Sequence, residues 1–295
     1  MIFMITKRKN DKNDYEYPMT SMSLSISVLA DNHAAEGFSS EHGFSAFVEC
    51  DDTRVLFDTG GGTLFAENAL KLGVHWWETE AVVLSHGHYD HTGGIAHVLS
   101  GNSRAKWYWH PDALLPRYLR RNQDPPKSIG MRPENRASLD VLGERLVRTT
   151  RPTRINERIG VTGPIPRLNP EEGTGGDFFL DEAFQTSDPI RDDQALWIRA
   201  KGGVIALLGC AHAGVGNTLD YISSLCGERI LAVVGGLHLQ GDGALRLGAA
   251  VDAFRRHGVK YIRPAHCTGD AAVTVLARNF PDAVSPCRAG DVMKL

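Results

Sequence analysis

The patterned part of the chain begins with three short β-type runs, SLSISVLA (Ser23 to Ala30), FSAFVEC (Phe44 to Cys50) and RVLFDTG (Arg54 to Gly60), each bounded by turn-forming residues. Three strands in quick succession predict a meander. TLFAENALKLG (Thr63 to Gly73) follows with helical spacing and a glycine stop, and Ala81 to Leu84 is wholly apolar, as a strand buried on both faces would be. GGIAHVLS (Gly93 to Ser100) reads as a helix, RAKWYWH (Arg104 to His110) as a strand, and PDALLPRYLRR (Pro111 to Arg121) as a helix or an irregular segment. From about Asn122 to Glu172 prolines, glycines and arginines replace the apolar runs, so an insertion or lid is expected over about 117–175.

Periodicity returns with QALWIRA (Gln194 to Ala200), GGVIALLGCAHAG (Gly202 to Gly214) and a helix near Asn217 to Leu225. RILAVVGGLHL (Arg229 to Leu239), a helix from Gly243 to Gly258, YIRPAHCTG (Tyr261 to Gly269), a helix over DAAVTVLARNF and a short terminal strand complete the chain. No solenoid-like repeat is visible. Strands precede helices in both halves, which suits an α/β architecture of two packed sheets flanked by helices.

Composition narrows the classes. In 295 residues, 42% hydrophobic and 23% charged content describe an ordinary globular chain with a sizeable core. Lys plus Arg total 32 against 35 Asp plus Glu, so no global charge favours nucleic acid or an anionic membrane as a partner. The five cysteines are scattered and form no CxxC pair, which argues against a disulfide framework and for a reduced, cytoplasmic setting. Residues 1–22 carry only a five-residue apolar start before a polar stretch, too short for a signal peptide. They read as a disordered extension, with Met19 or Met22 as an alternative start. No run approaches the roughly 20 apolar residues of a membrane span.

Candidate chemistry concentrates at strand ends. SHGHYDHTGG (Ser85 to Gly94) puts His86, His88, Asp90 and His91 directly after the buried run at Ala81 to Leu84, where α/β folds usually assemble their sites. Imidazole and carboxylate donors spaced by two can converge on one ion from an extended loop, and a bend can turn the next pair towards a second ion. His212 in GCAHAG, His238 in GGLHL and His266 in PAHCTG each follow an apolar strand in the same way. His75, His97 and His257 lack that placement and are read as structural.

SHGHYDHTGG resembles the metal-binding motif of the metallo-β-lactamase superfamily, and VLFDTG (Val55 to Gly60) resembles the motif that precedes it there. EHGFSAFVE, VTGPIPR, GCAHAGVGN, GGLHL and PAHCTG are further similar to one branch, the archaeal dihydropterin-ribofuranosylaminobenzene phosphate synthases and their bacterial relatives of unassigned activity. The resemblance implies a four-layer αββα sandwich of two mixed sheets with a dinuclear site along one edge. It implies His86, His88 and His212 on a first metal, Asp90, His91 and His266 on a second, and Asp58 supporting the metal loop. The ions implied are zinc, with iron, manganese or magnesium as alternatives. One departure stands out. Where many hydrolases of the superfamily place a bridging aspartate after a glycine, this chain has Gly209 followed by Cys210. Cys210 is either a thiolate ligand or a small buried residue.

His238 is either a pocket residue that contacts substrate or donates a proton, or structural. His42 in EHGF and Thr268 are placed at the pocket mouth. Two divalent ions against one carboxylate leave about three positive charges, which favours a small anionic substrate. The basic stretch from Arg117 to Arg167 is either a solvated face or a lid that clamps phosphate, with Arg120 and Arg121 as its candidate fingers. Such metals lower the pKa of water towards about 7, so hydrolysis of a phosphate- or pyrophosphate-bearing substrate by a metal-held hydroxide is the leading expectation. A transferase that condenses a pterin pyrophosphate with an aromatic phosphate and releases pyrophosphate is the alternative the branch implies. A binding module without turnover is a third, disfavoured by the complete histidine set. Lactonase and thioesterase activities stay open, as does a homo-oligomer, while a nuclease lacks its broad basic surface.

Overall fold

In a computed structural model that describes residues 23–121, 124–240 and 244–294, two mixed β-sheets pack face to face with helices on both outer sides. The expected extension at 1–22 lies outside the described residues. The first sheet contains β1 (Leu24–Ala30), β2 (Ser45–Cys50), β3 (Thr53–Phe57), β4 (Ala81–Val83), β5 (Lys106–Trp109), β8 (Leu146–Arg148) and β16 (Val292–Lys294). Their spatial order is β16-β1-β2-β3-β4-β5-β8, with the β1–β3 meander antiparallel and β3, β4, β5 and β8 parallel.

The second sheet contains β9 (Thr153–Arg154), β10 (Ile159–Val161), β12 (Ala195–Ala200), β13 (Gly203–Leu208), β14 (Ile230–Gly236) and β15 (Tyr261–Ala265). Its order is β15-β14-β13-β12-β10-β9, and β13, β14 and β15 run parallel. A small third sheet joins β6 (Tyr118–Leu119), β7 (Lys127–Ser128) and β11 (Phe178–Phe179).

Strand periodicity explains the layers. Along β13, Ile205 and Leu207 enter the core between the sheets, while Val204, Ala206 and Leu208 face outward. That outer face is covered by α5 (Val215–Cys226), α6 (Ala244–His257) and α7 (Asp270–Asn279), through Leu219, Ile222, Phe254 and Leu276. Along β3, Val55 and Phe57 point between the sheets and Leu56 points to the other side, under α1 (Leu64–Lys71) and α3 (Ile95–Gly101). Strands with both faces covered must be apolar throughout, so β4 and β13 show no polar alternation. The short α2 (Tyr89–Thr92) and α4 (Pro133–Ser138) complete the helices. Among the described residues no helix is long and apolar enough to cross a membrane.

The weakly patterned stretch is not one excursion. β8 extends the first sheet and β9–β10 extend the second, so half of it is woven into the sandwich. Only the third sheet stands apart, lying over the ends of the main sheets with Ile129, Phe178 and Ile190 as its own small core. These strands are two or three residues long, too short for period-two patterning to register.

Arg117, counted in the basic stretch, is fully buried. Its guanidinium pairs with both oxygens of Asp192, and Nε lies 2.8 Å from Asp188. Asp192 also accepts the Gly87 backbone N–H at 2.7 Å, so the group ties the third sheet to the loop bearing His86 and His88. Replacing Arg117 with Met leaves two buried carboxylates without their cation, which costs about 3–5 kcal/mol. Urea unfolding of Arg117→Met should show that loss as a lower midpoint; a change below about 1 kcal/mol would contradict this account of the pair.

Candidate metal centre

The site lies where β3, β4, β13, β14 and β15 end, and Asp58 organises it. Its carboxylate, with no solvent exposure, accepts from the Ser85 backbone N–H (2.6 Å), the Ser85 hydroxyl (2.7 Å) and His91 Nδ1 (2.7 Å). Those bonds join the ends of β3 and β4 and fix one imidazole. Gly209 is required beside them, because a Cβ there would collide with the Ser85 hydroxyl and approach Asp58 Oδ2 to 3.0 Å.

The protonated nitrogens can be assigned from their partners. His91 Nδ1 faces a carboxylate, and His212 Nδ1 faces the Thr174 carbonyl at 2.9 Å, so both donate. His266 Nδ1 donates to Asn32 Oδ1 (3.0 Å), which also accepts the Gly43 N–H. The Ser85 hydroxyl gives its own proton to Asp58 and therefore accepts from His86 Nδ1 at 2.8 Å. Three imidazoles, His86, His91 and His212, thus turn an unprotonated Nε2 inward, the arrangement that outer partners impose on metal-binding histidine.

Two groups of donors form around Cys210. His86, His88 and His212 bring one ligand atom each within 4.8 Å of one another, with His86 Nε2 and His88 Nδ1 2.8 Å apart. His42, Asp90 and His266 form the second group, with His42 Nε2 and His266 Nε2 each 3.3 Å from Asp90 Oδ2. His91 stands between them rather than squarely in the second group. Its Nε2 lies 3.9 Å from Asp90 and 3.1 Å from Cys210 Sγ. Cys210 is buried and shares a possible ion with His86 and His91, with His212 and His238, and with His266 and Cys267.

Electrostatics agree with a cation-binding centre. Burial holds His86, His88 and His212 well below the ordinary imidazole value, so they are neutral donors. The Nε2 atoms of His88 and His212 are buried with no hydrogen-bond partner. Burial opposes charge on Asp90, yet His91 and His266 beside it hold its carboxyl well below the usual range. Burial also opposes charge on His266, but Cys267 and Asp90 raise it to about 9. A proton there stands between the same atoms a metal would join.

The pocket residues separate into those near the centre and those not. His42 is half-exposed at the mouth, with burial lowering its pKa against the pull of Asp90. His238 lies beside His212 with ring centroids 4.4 Å apart, and its Nδ1 has no partner. Thr268 does not present its hydroxyl to the pocket, because the group accepts from Leu237 N–H and donates to Ala265 O. Arg120 is directed away, paired with Asp177 at 3.1 Å and lying over the Phe179 ring. Arg121 is exposed and has no ion pair among the described residues. His97 packs on Phe65 and Trp76, His75 stacks on Trp77, and His257 binds Asp220.

Three supports carry no local signature in the sequence. Phe178, from β11, covers the centre, with ring centroids 5.5, 5.3 and 6.0 Å from His88, His212 and His238. Arg246 on α6 donates to the carbonyls of Ala211 (2.8 Å), His238 (3.3 Å), Glu172 and Gly173. The Glu172 carboxylate accepts the Gly216 and Asn217 N–H groups, both at 2.7 Å, at the start of α5. Together they hold the loop whose Thr174 carbonyl orients His212. Only proximity in the fold identifies them, since Arg246 acts on residues up to 74 positions away.

Comparisons with known proteins bear on the family and the fold. The profile of the metallo-beta-lactamase superfamily matches residues 41–203. The chain is 33% identical over 260 residues to an uncharacterised protein of Methanocaldococcus jannaschii, covering 86% of this chain and 94% of that one. It is 27% identical over 289 residues to the 7,8-dihydropterin-6-methyl-4-(beta-D-ribofuranosyl)-aminobenzene-5'-phosphate synthase of the same organism, covering 92% and 96%. The crystal structure of a metal-dependent hydrolase of the beta-lactamase superfamily aligns with TM-score 0.77 at 33% identity, covering 92% and 99%.

Asp58→Asn keeps the size of the side chain but loses the charge that holds His91 Nδ1–H. Zinc affinity, measured by chelator competition, should fall about 10–100-fold while circular dichroism stays native. An unchanged affinity would remove Asp58 from its organising role.

Proposed function

The chain belongs to the metallo-β-lactamase superfamily, and from that premise we propose that it is a metal-dependent hydrolase of a small anionic substrate bearing a phosphate or pyrophosphate. The observation that supports this most is the pair of donor groups around Cys210, in which His86, His91, His212 and His266 are each oriented by a partner on Nδ1. The residues fit two divalent ions: His86, His88 and His212 would hold one, Asp90 and His266 with His42 or His91 the other, and Cys210 would lie between them. The unpartnered Nε2 of His212 suits a ligand role. Imidazole and sulfur donors favour zinc or iron over magnesium.

Divalent ions, when bound, supply polarisation of the scissile bond and a hydroxide nucleophile at neutral pH. The chain's own residues do the rest. Asp90 would return one negative charge against four, since burial holds the Cys210 thiol well above its ordinary value, so the centre would keep a positive balance that attracts an anion. Asp58 and Ser85 fix His91 and His86, which limits reorganisation as charge develops. Phe178 excludes water from the side of His88 and His212. His238, beside His212 and with no partner on Nδ1, is the residue we assign to contact the leaving group.

A transferase reading is favoured by one observation, the kinship to a synthase over nearly the whole chain. In that reaction an aromatic acceptor replaces water and pyrophosphate leaves. Both reactions hold an anion on the same groups.

The test is elemental analysis of the purified protein together with turnover of phosphodiesters, pyrophosphates, lactones and thioesters, with and without an aromatic acceptor. Hydrolysis of a phosphate or pyrophosphate substrate without acceptor is expected, and His88→Ala should lose both metal and at least about a hundredfold in rate. Pyrophosphate release that depends on the acceptor would select the transferase. Full metal content and rate in His88→Ala would overturn the site.

A further inference from the structure

Two cations at the mouth of the site form no ion pair within 4.0 Å among the described residues. The segment from Lys127 to Arg132 runs beside the metal loop: His88 and Gly130 form an antiparallel bridge, and the Tyr89 N–H donates to Ile129 O at 3.0 Å. This pairing places Lys127 Nζ and the Arg132 guanidinium carbon each 5.6 Å from the centroid of the Tyr89 ring. The Tyr89 ring is in turn 6.1 Å from that of His42, which touches Asp90. Both cations are exposed, and neither forms an ion pair among the described residues. Three other arginines of the region do, Arg117 with Asp188 and Asp192, Arg120 with Asp177, and Arg158 with Asp51, while Arg121 does not and lies away from this backbone pairing. The neighbouring acid, Glu41, accepts the Gly61 N–H and meets Arg132 only through the longer-range attraction of opposite charges, without an ion pair.

Two like charges drawn to one half-buried ring gain little from it and repel each other. Their position is set by the backbone pairing with the metal loop, so they keep a fixed relation to the reacting centre. They lie against the ring that neighbours His42, and neither is one of the groups that would hold a metal. We propose that Lys127 and Arg132 bind a second anionic group of the substrate, one that does not react, and that the natural substrate is therefore a doubly anionic molecule with its two anionic ends separated by a spacer. Phosphate suits the pair, since Arg132 offers paired donors and Lys127 a point charge. This rests on the hydrolase reading above and adds the shape of the substrate to it.

The experiment is calorimetric titration of the zinc-loaded protein with inorganic phosphate and with the bisphosphates of ethanediol, butanediol and hexanediol. Wild-type affinity should peak at one spacer length, at least about tenfold above that for inorganic phosphate. In Lys127→Ala combined with Arg132→Ala the peak should vanish and every bisphosphate should bind like phosphate, at unchanged zinc content. Lys127→Arg with Arg132→Lys keeps both charges and should retain most of the gain. A wild type that binds phosphate but shows no spacer dependence, or a double alanine variant that keeps the peak, overturns the second anion site alone. A zinc-loaded wild type that binds no phosphate at all strikes instead at the anionic substrate of the preceding reading.

Discussion

The constraint on which the rest depends is the buried carboxylate of Asp58. A carboxylate with no exposure must have its lone pairs satisfied or it carries a heavy desolvation cost. Here the donors are the backbone and hydroxyl of Ser85 and the ring of His91, so meeting that need simultaneously closes the ends of β3 and β4 and aims an imidazole. The geometry is demanding. Asp58 has φ 58°, and Ala211, His238 and His266 also sit at positive φ, at 54°, 47° and 50°. Non-glycine residues avoid that region at a cost of order 1 kcal/mol each, and four of them gather at the ends of the strands that make the site. The three apolar layers of the sandwich hold those loops in place.

How much of this could be read in the sequence depends on how local each cause is. The main strands and helices follow from periodicity, and β4 was recognisable because burial on both faces leaves no polar position from Ala81 to Leu84. The histidines at strand ends were legible for the same reason, since each follows an apolar run. Arg117 was not: its charge reads as solvated until Asp188 and Asp192, more than 70 positions on, are seen to surround it. Thr268 failed similarly, because its hydroxyl answers a backbone N–H just past the end of β14. Arg246 and Glu172 are ordinary members of a helix and a polar loop until the fold brings them to the site.

The middle of the chain shows how a weak pattern can still be structured. Its strands gain their order from sheets already formed by neighbours, with β8 added beside β5 and β10 beside β12. Short additions of this kind need no amphipathic signal of their own. The third sheet differs in having almost no apolar interior, only Ile129, Phe178 and Ile190 with the flanking Tyr89 and Leu119. Phe178 therefore serves two purposes, as core of that sheet and as cover for His88 and His212. A cover with so small a core opens more readily than the sandwich beneath it, because few apolar contacts oppose local unfolding.

That difference in stability divides the site. On one side His86, His91 and Asp58 are held by strand ends inside the sandwich. On the other, His212 takes its orientation from Thr174, which belongs to a loop held by Glu172 against the start of α5, by Asn217 on α5, by Arg246 on α6 and by Arg167. The Glu172 carboxylate meets the positive end of a helix dipole, and Arg246 gathers carbonyls from three segments that would otherwise point at one another. Burial raises the pKa of Glu172 even with those bonds, which marks its charge as dependent on them. The histidine contributed by β13 is thus rigid in its backbone and conditional in its ring, and the conditional part is the part that faces the ligand.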